Sequence, residues 1–311
     1  MKCTVCGEPA RINAPRHNSK FCERHFLRFV FRQVWRTIEE YRMFTHRDTL
    51  LLGVSGGKDS MTAWDILAEQ GYTVHAVHID MGFGDYSRRS EEIVRTFAAA
   101  RDLTLSVHTF QELMGFTFQH ALRIHRRRAC ALCGTVRRYF LNRLARDLEC
   151  TVVVTGHNLD DETATLLGNV LHWQMGYLER QYPVLEPKAG LLRKVKPLVK
   201  LTDEETGWYV KLRNIDTATG TCPYSRGATS PVYKDIMGEI EKRMIGIKAD
   251  FYFNYLNRMR EQLSSGSSGR ADETRFCPEC GYRTLKGELC FVCSLKRRAA
   301  RGSDGSSLPA D

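Results

Sequence analysis

Four stretches of the chain carry apolar residues at strand length. Leu50, Leu51, Leu52 and Val54 form an unbroken run, the pattern of a strand buried on both faces of a parallel sheet. Tyr72–Asp80, Leu103–Val107 and Cys150–Thr155 predict three more strands. Between them apolar positions return at helical intervals. Met61, Trp64, Ile66 and Leu67 follow the first strand, a helix spans about 87–101, and Val136, Tyr139, Phe140 and Leu144 precede the fourth strand. Strand alternating with helix predicts an α/β fold built on a parallel sheet.

Outside this alternation, Phe26, Phe29, Val30, Val34, Ile38 and Tyr41 mark a basic amphipathic helix from His25 to about Arg42. Its aromatic residues read as packing rather than base-stacking groups. The stretch 172–200 mixes Pro, Gly and basic residues and predicts no regular element. Thr202-Asp203-Glu204-Glu205 is a capping box opening a further helix. Helical patterns near 228–244 and 250–262 complete the core. Ser264–Gly269 reads as a flexible linker, and the tail after Lys296 as basic, then Ser/Gly-rich and disordered.

The 311 residues have room for one large domain with small modules: 1–26, 27–263 and 264–311. No run reaches the roughly 18 apolar residues of a membrane span, and no signal-peptide core opens the chain, so a cytoplasmic protein is expected. A net charge of +10 favours a polyanionic partner.

Eleven cysteines without a secretion signal point to metal or redox chemistry rather than disulfides. Cys3, Cys6, Cys22 and His25 read C-x2-C then C-x2-H, a closed tetrahedral zinc set and hence structural. Cys277, Cys280, Cys290 and Cys293 have the spacing of a second structural zinc site, a ribbon. Cys130, Cys133 and Cys222 remain as a third group, the last in a loop able to reach a site formed elsewhere. Cys150 reads as a small buried apolar residue.

The first strand runs through Gly53 and Val54 into Ser55-Gly56-Gly57-Lys58-Asp59-Ser60, and a helix follows. A strand, glycine turn and helix start aim backbone N–H groups at an anion. This is not a Walker A loop, because three residues separate Gly53 from Gly57 and Asp59 follows Lys58. His78 and Ile79 lie at the carboxyl end of the second strand, where adenine is expected against Ile79; His75 and His78 read equally as strand histidines bonded to backbone. After the fourth strand come Gly156 and then Asp160, Asp161 and Glu162, read together as part of a Mg-ATP and substrate site with Asp161 the catalytic carboxylate. Arg126–Arg128 and Arg137, Arg138, Arg143 and Arg146 surround the Cys130–Cys133 pair. Phosphate contact and a solvated charged face are both open readings, and Arg137 shares a helix face with Cys133 if the helix starts early enough.

The Ser55–Ser60 motif resembles the PP-loop of the ATP-pyrophosphatase superfamily. With the other motifs in their order, the chain resembles the tRNA 2-thiouridine synthetases of the TtuA type, among the PP-loop tRNA thiolation enzymes. The resemblance implies that Cys130, Cys133 and Cys222 hold a 4Fe-4S cluster with one open iron; a catalytic zinc or a persulfide-forming pair are the alternatives. It implies that Mg-ATP, bound along Gly53–Ser60 with Lys58 on the phosphates, adenylates C2 of a tRNA uridine, most simply uridine 54, and that sulfur displaces AMP. Asp161 and Arg137 would position the uridine; relatives commonly carry lysine at Arg137, so a proton-transfer role there is doubtful. The sulfur would come from a ubiquitin-like carrier protein, and a homodimer is consistent with the zinc modules. The same chemistry at wobble uridine 34, or a cluster-free PP-loop ligase, are the rival activities.

Overall fold

The computed structural model describes residues 1–125, 129–265, 275–284 and 288–303. Arg126–Arg128, most of the expected linker and the end of the tail lie outside the described residues. Strands Ile12–Ala14 (β1) and Ser19–Phe21 (β2) form an antiparallel hairpin, followed by the helix Glu23–Glu40 (α1). His25 lies in α1, so one helix belongs to both the N-terminal cysteine–histidine group and the core. Phe26, Val30, Val34 and Ile38 are its buried stripe, as their spacing predicts.

The core then alternates Thr49–Gly53 (β3), Lys58–Glu69 (α2), Thr73–Asp80 (β4), Asp85–Ala99 (α3) and Leu105–Thr109 (β5). Three helices follow, Phe110–Met114 (α4), Phe118–Ile124 (α5) and Ala129–Asp147 (α6), then Val152–Val154 (β6) and Leu159–Leu171 (α7). Met175–Leu178 (α8), Val184–Leu185 (β7), Arg193–Val195 (β8) and Asp203–Leu212 (α9) lead to Thr229–Arg243 (α10) and Ile247–Asn254 (α11). A π-helical turn at Tyr255–Met259 joins Arg260–Ser265 (α12), so helix continues into the start of the expected linker. The C-terminal ribbon has Arg275–Phe276 (β9), Arg283–Thr284 (β10) and Phe291–Ser303 (α13).

The sheet has six strands in the order β5-β4-β3-β6-β8-β7. All pair in parallel except β7 against β8. The chain starts at β3, moves outward through β4 and β5, then crosses to β6. The order therefore reverses between β3 and β6, and a crevice opens at their carboxyl ends, the usual ligand position in such sheets. Two strands, β7 and β8, were not legible in the 172–200 stretch, and the third strand starts at Leu105 rather than Leu103.

Two apolar layers fix the sheet. Leu50 and Leu52 face Trp64, Val94 and Tyr209 from the α1, α2, α3 and α9 side. Leu51 and Val153 face Phe118, Val136 and Phe140 from the α4–α6 side. Cys277, Cys290, Cys293 and Val292 join this second layer, which seats the ribbon on α6.

Candidate functional site

The phosphate loop is held open by its own hydroxyls. Ser60 Oγ accepts from Ser55 N at 3.1 Å and donates to Gly57 O at 3.0 Å. Gly56 has φ +76, and a side chain there would meet Ser90 O at 3.0 Å, so glycine answers both the conformation and the contact. Val54 is buried, and Gly53 abuts Leu141 of α6. Gly57 caps α2, whose free N–H groups point into the crevice. Across the crevice, Gly156 packs against that same helix start: a Cβ on it would lie 2.9 Å from Ser60 N. Ala218 N donates to Gly56 O at 2.8 Å, which ties the loop to the segment leading to Cys222.

Lys58 is the centre of a charge network. Its Nζ donates to Asp59 Oδ1 at 2.8 Å and to Asp203 at the start of α9. Asn158 Nδ2 donates to Asp59 Oδ1 at 2.9 Å and to Asp203 Oδ1 at 2.8 Å, and Thr206 Oγ1 donates to Asp59 at 2.6 Å. Lys234 of α10 reaches Asp203 at 3.1 Å and Asp161 at 2.6 Å. Burial pushes the Asp203 carboxyl up, but the ammonium groups of Lys234 and Lys58 outweigh it and hold it down at about 2. Burial wins at Asp59, whose pKa is raised. Two ammonium groups held by three carboxylates beside an anion-binding helix start can release their partners to a phosphate chain and its cation.

Asp160 and Asp161 border one cleft with Asp203, whereas Glu162 turns away from it to other partners. Successive helix residues point about 100° apart. Asp160 is buried, pairs with Lys248 and accepts from Asp203 N at 2.9 Å. Glu162 is buried against Lys196 at 2.7 Å and Tyr252 at 3.0 Å. Asp161 alone stays partly open, with one oxygen on Lys234 and the other accepting from Asn158 N in a capping box. Asn158, Asp203, Thr206 and Lys234 were missed as site residues. Asp203 was visible only as a helix-start acid of the Thr202 capping box, which is present as read.

His78 is buried and donates Nδ1–H to Val54 O at 2.9 Å, bracing the strand that feeds the loop. Burial holds its pKa below the usual value, so the ring is neutral. Ile79 is buried, and its carbonyl accepts from Arg137 Nη2 at 3.5 Å. Arg137 lies on α6 with Cys130 and Cys133, because that helix begins at Ala129. One helix thus carries the cysteine pair and touches the strand end beside the loop.

Cys130 is exposed with its Sγ 3.3 Å from Tyr224 O, and Cys133 and Cys222 are half-buried. Burial pushes the Cys133 thiol up while Arg137 pulls it down. Tyr224 packs on Phe83 and Phe118, with centroids 4.7 and 5.3 Å away, which fixes the loop carrying Cys222. The donor set is three soft thiols at an apolar floor, suited to iron–sulfur chemistry.

The two outer groups are tighter. The ligand atoms of Cys3, Cys6, Cys22 and His25, and of Cys277, Cys280, Cys290 and Cys293, lie within 4.8 Å of one another. Among the described residues only these two groups gather so closely, so the third set of cysteines does not have the spacing of a single ion. Cys6 and Cys22 are 3.8 Å apart and Cys280 and Cys290 3.6 Å. Tetrahedral zinc with bonds of about 2.3 Å separates its sulfurs by about 3.8 Å, so both sets fit that ion. No described helix is long and apolar enough to cross a membrane.

Residues 2–27 match the family described as 2-thiouridine synthetase TtuA, N-terminal LIM domain, and residues 29–216 match the PP-loop domain. The chain is 40% identical to the tRNA-5-methyluridine(54) 2-sulfurtransferase of Thermotoga maritima, over 97% of this chain and 98% of that protein. It is 38% identical to the enzyme of the same name from Thermus thermophilus, over 95% and 91%. The fold matches that of the U34-tRNA thiolase NcsA from Methanococcus maripaludis, solved with its [4Fe-4S] cluster, with a TM-score of 0.75, 21% identity and 96% of each chain covered. With a TtuA N-terminal domain followed by a PP-loop domain, and near full-length identity to these two enzymes, the chain belongs to the TtuA-type family of PP-loop tRNA 2-thiouridine synthetases.

Proposed function

We propose that the protein is an ATP-dependent tRNA 2-sulfurtransferase acting on uridine 54 of the T-loop. The observation that carries this is the near full-length identity to two enzymes of that activity, joined to α6 placing Arg137 against Ile79 beside the phosphate loop. ATP along Gly53–Ser60 would meet the α2 N-terminus and Lys58 with its β and γ phosphates. Asp59 and Asp203 would then turn from Lys58 toward the accompanying cation. The uridine C2 oxygen attacks the α-phosphorus and pyrophosphate leaves; a sulfur nucleophile adds at C2 and AMP departs with the original oxygen. Lys58 and Lys234 stabilise the charge that develops on the phosphates. Arg137 stays charged and orients the base or the AMP leaving group without exchanging a proton, and Asp161 holds Lys234 in place.

Cys130, Cys133 and Cys222 would hold a 4Fe-4S cluster, which when bound supplies an iron without a protein ligand at which sulfide can be presented. The two outer groups would hold structural zinc. The sulfur we assign to a ubiquitin-like carrier with a C-terminal thiocarboxylate, the assembly to a homodimer and the location to the cytoplasm. The test is anaerobic turnover with tRNA, ATP and sulfide, followed by nucleoside mapping. The 2-thio base at position 54 supports the reading, and at position 34 it shifts the site. Absence of any thiouridine with a reconstituted protein sinks it.

A further inference from the structure

A second cavity, of about 860 Å³, opens beside the carboxylate–lysine network. Its walls include Arg138 of α6, His172, Tyr177, Arg180, Lys196 and Tyr233. Ser230 lines both this cleft and the neighbouring one that holds Asp161 and Lys234, so the two meet at the start of α10. The cleft therefore lies between the helix bearing the cysteines and the helix bearing Asp161. Arg138 and the nearby Lys194 have no ion-pair partner among the described residues. Burial, and after it the charges of Lys196 and Arg138, push Lys194 down to about 8.

Tyr177 of the wall is 61% exposed, and the Arg180 guanidinium stands 5.5 Å over its ring. Trp173, which falls in the chain between the wall residues His172 and Gln174, is 74% exposed. Trp173 has φ +47, a left-handed conformation uncommon for so bulky a side chain. Two exposed rings thus accompany two cations, Arg138 and Arg180, that have no ion-pair partner among the described residues. Flat rings take unpaired bases, and guanidinium and ammonium groups take the phosphates between them.

We propose that this cleft is the docking groove for the RNA loop around the target uridine, with Trp173 and Tyr177 stacking bases and Arg138 and Arg180 on the backbone. This rests on the tRNA thiolase reading above. Charge complementarity selects RNA: the groove wall offers two cations without an ion-pair partner among the described residues, Arg138 and Arg180, and no carboxylate, while Lys196 is paired with Glu162, in a chain of net charge +10.

The experiment measures the Kd of the reconstituted full-length protein for substrate tRNA across a salt series. Trp173→Ala and Tyr177→Ala are expected to raise Kd about tenfold, with Tyr177→Phe close to wild type. Arg138→Ala flattens the plot of log Kd against log salt by about 0.7 to 0.9. Arg95→Ala, on the exposed face of α3, leaves both unchanged, and ATP affinity stays at the wild-type value in every variant. If wild type binds and thiolates tRNA while the ring and Arg138 variants keep its Kd and slope, the groove assignment is wrong. Loss of carrier-supported turnover at unchanged tRNA affinity assigns the face to a protein and also overturns it. Weakened tRNA binding in the variants with no thiouridine formed by wild type keeps the groove and removes the thiolation reading instead.

Discussion

Lys58 of the phosphate loop is paired with Asp203, a residue 145 positions later in the chain. Asn158 donates to the same Asp203 oxygen at 2.8 Å, and Lys234 takes the other. Asp203 therefore sets where two ammonium groups stand relative to the phosphate loop. Asp203→Ala is expected to lower ATP-dependent pyrophosphate release by about 10- to 100-fold, as misplacement of a positioned charge does. Zinc content should not change. Unaltered pyrophosphate release in a single-turnover assay would remove Asp203 from the site.

Gly156→Ala tests the close approach of two helix starts. Its Cβ would fall 2.9 Å from Ser60 N and 3.0 Å from the Asp59 carbonyl carbon, against backbone that cannot swing away. The expected cost is about 1–3 kcal/mol in urea unfolding, with ATP affinity reduced because the loop is displaced.

Glu205 couples the N-terminal module to α9. It accepts from Arg16 at 2.9 Å and meets His17 Nε2 at 2.8 Å. Burial pushes its pKa up, but the hydrogen bond from His17 and the charge of Arg16 prevail and hold it at about 2, against an ordinary 4.5. A depressed carboxylate stabilises the fold above its unfolded pKa and loses that contribution as pH falls through the folded one. The contribution, about 3 kcal/mol, is complete above about pH 4.5 and vanishes toward pH 2. Thermal melts of wild type and Glu205→Gln should differ most above pH 5 and converge below pH 3. A gap that is constant with pH would show that the ion pair is not the cause.

The three cysteine groups should separate by metal analysis. Anaerobically reconstituted wild type is expected to carry about four irons and two zincs, Cys222→Ala to lose iron and keep zinc, and Cys22→Ala to lose one zinc and keep iron. Zinc alone in wild type after reconstitution would leave the cluster assignment without support.

What could be read from the chain depended on how locally each feature is encoded. The phosphate loop and the two outer ligand groups were legible because their residues sit within short, fixed spacings. Strands β3 to β6, four of the six in the sheet, were legible from apolar residues at strand length. The strand Arg193–Val195 was not, because two of its three residues are cations, one of them coupled electrostatically to the groove. Asn158, Asp203 and Lys234 were missed for another reason. They converge from three helix starts or faces, and each has an ordinary local role, such as the capping boxes at Asn158 and Thr202. Asp160 and Glu162 show the converse: two positions apart in sequence, they pair with different lysines, Lys248 and Lys196.

The hydrogen bond from Ala218 N to Gly56 O, 2.8 Å long, joins the phosphate loop to the segment that reaches Cys222 four residues later. The Tyr224 ring anchors the far side of that segment on Phe83 and Phe118. The loop that carries the third thiol is therefore one short stretch of chain tied down at both ends, at one of them to the turn that would face a nucleotide.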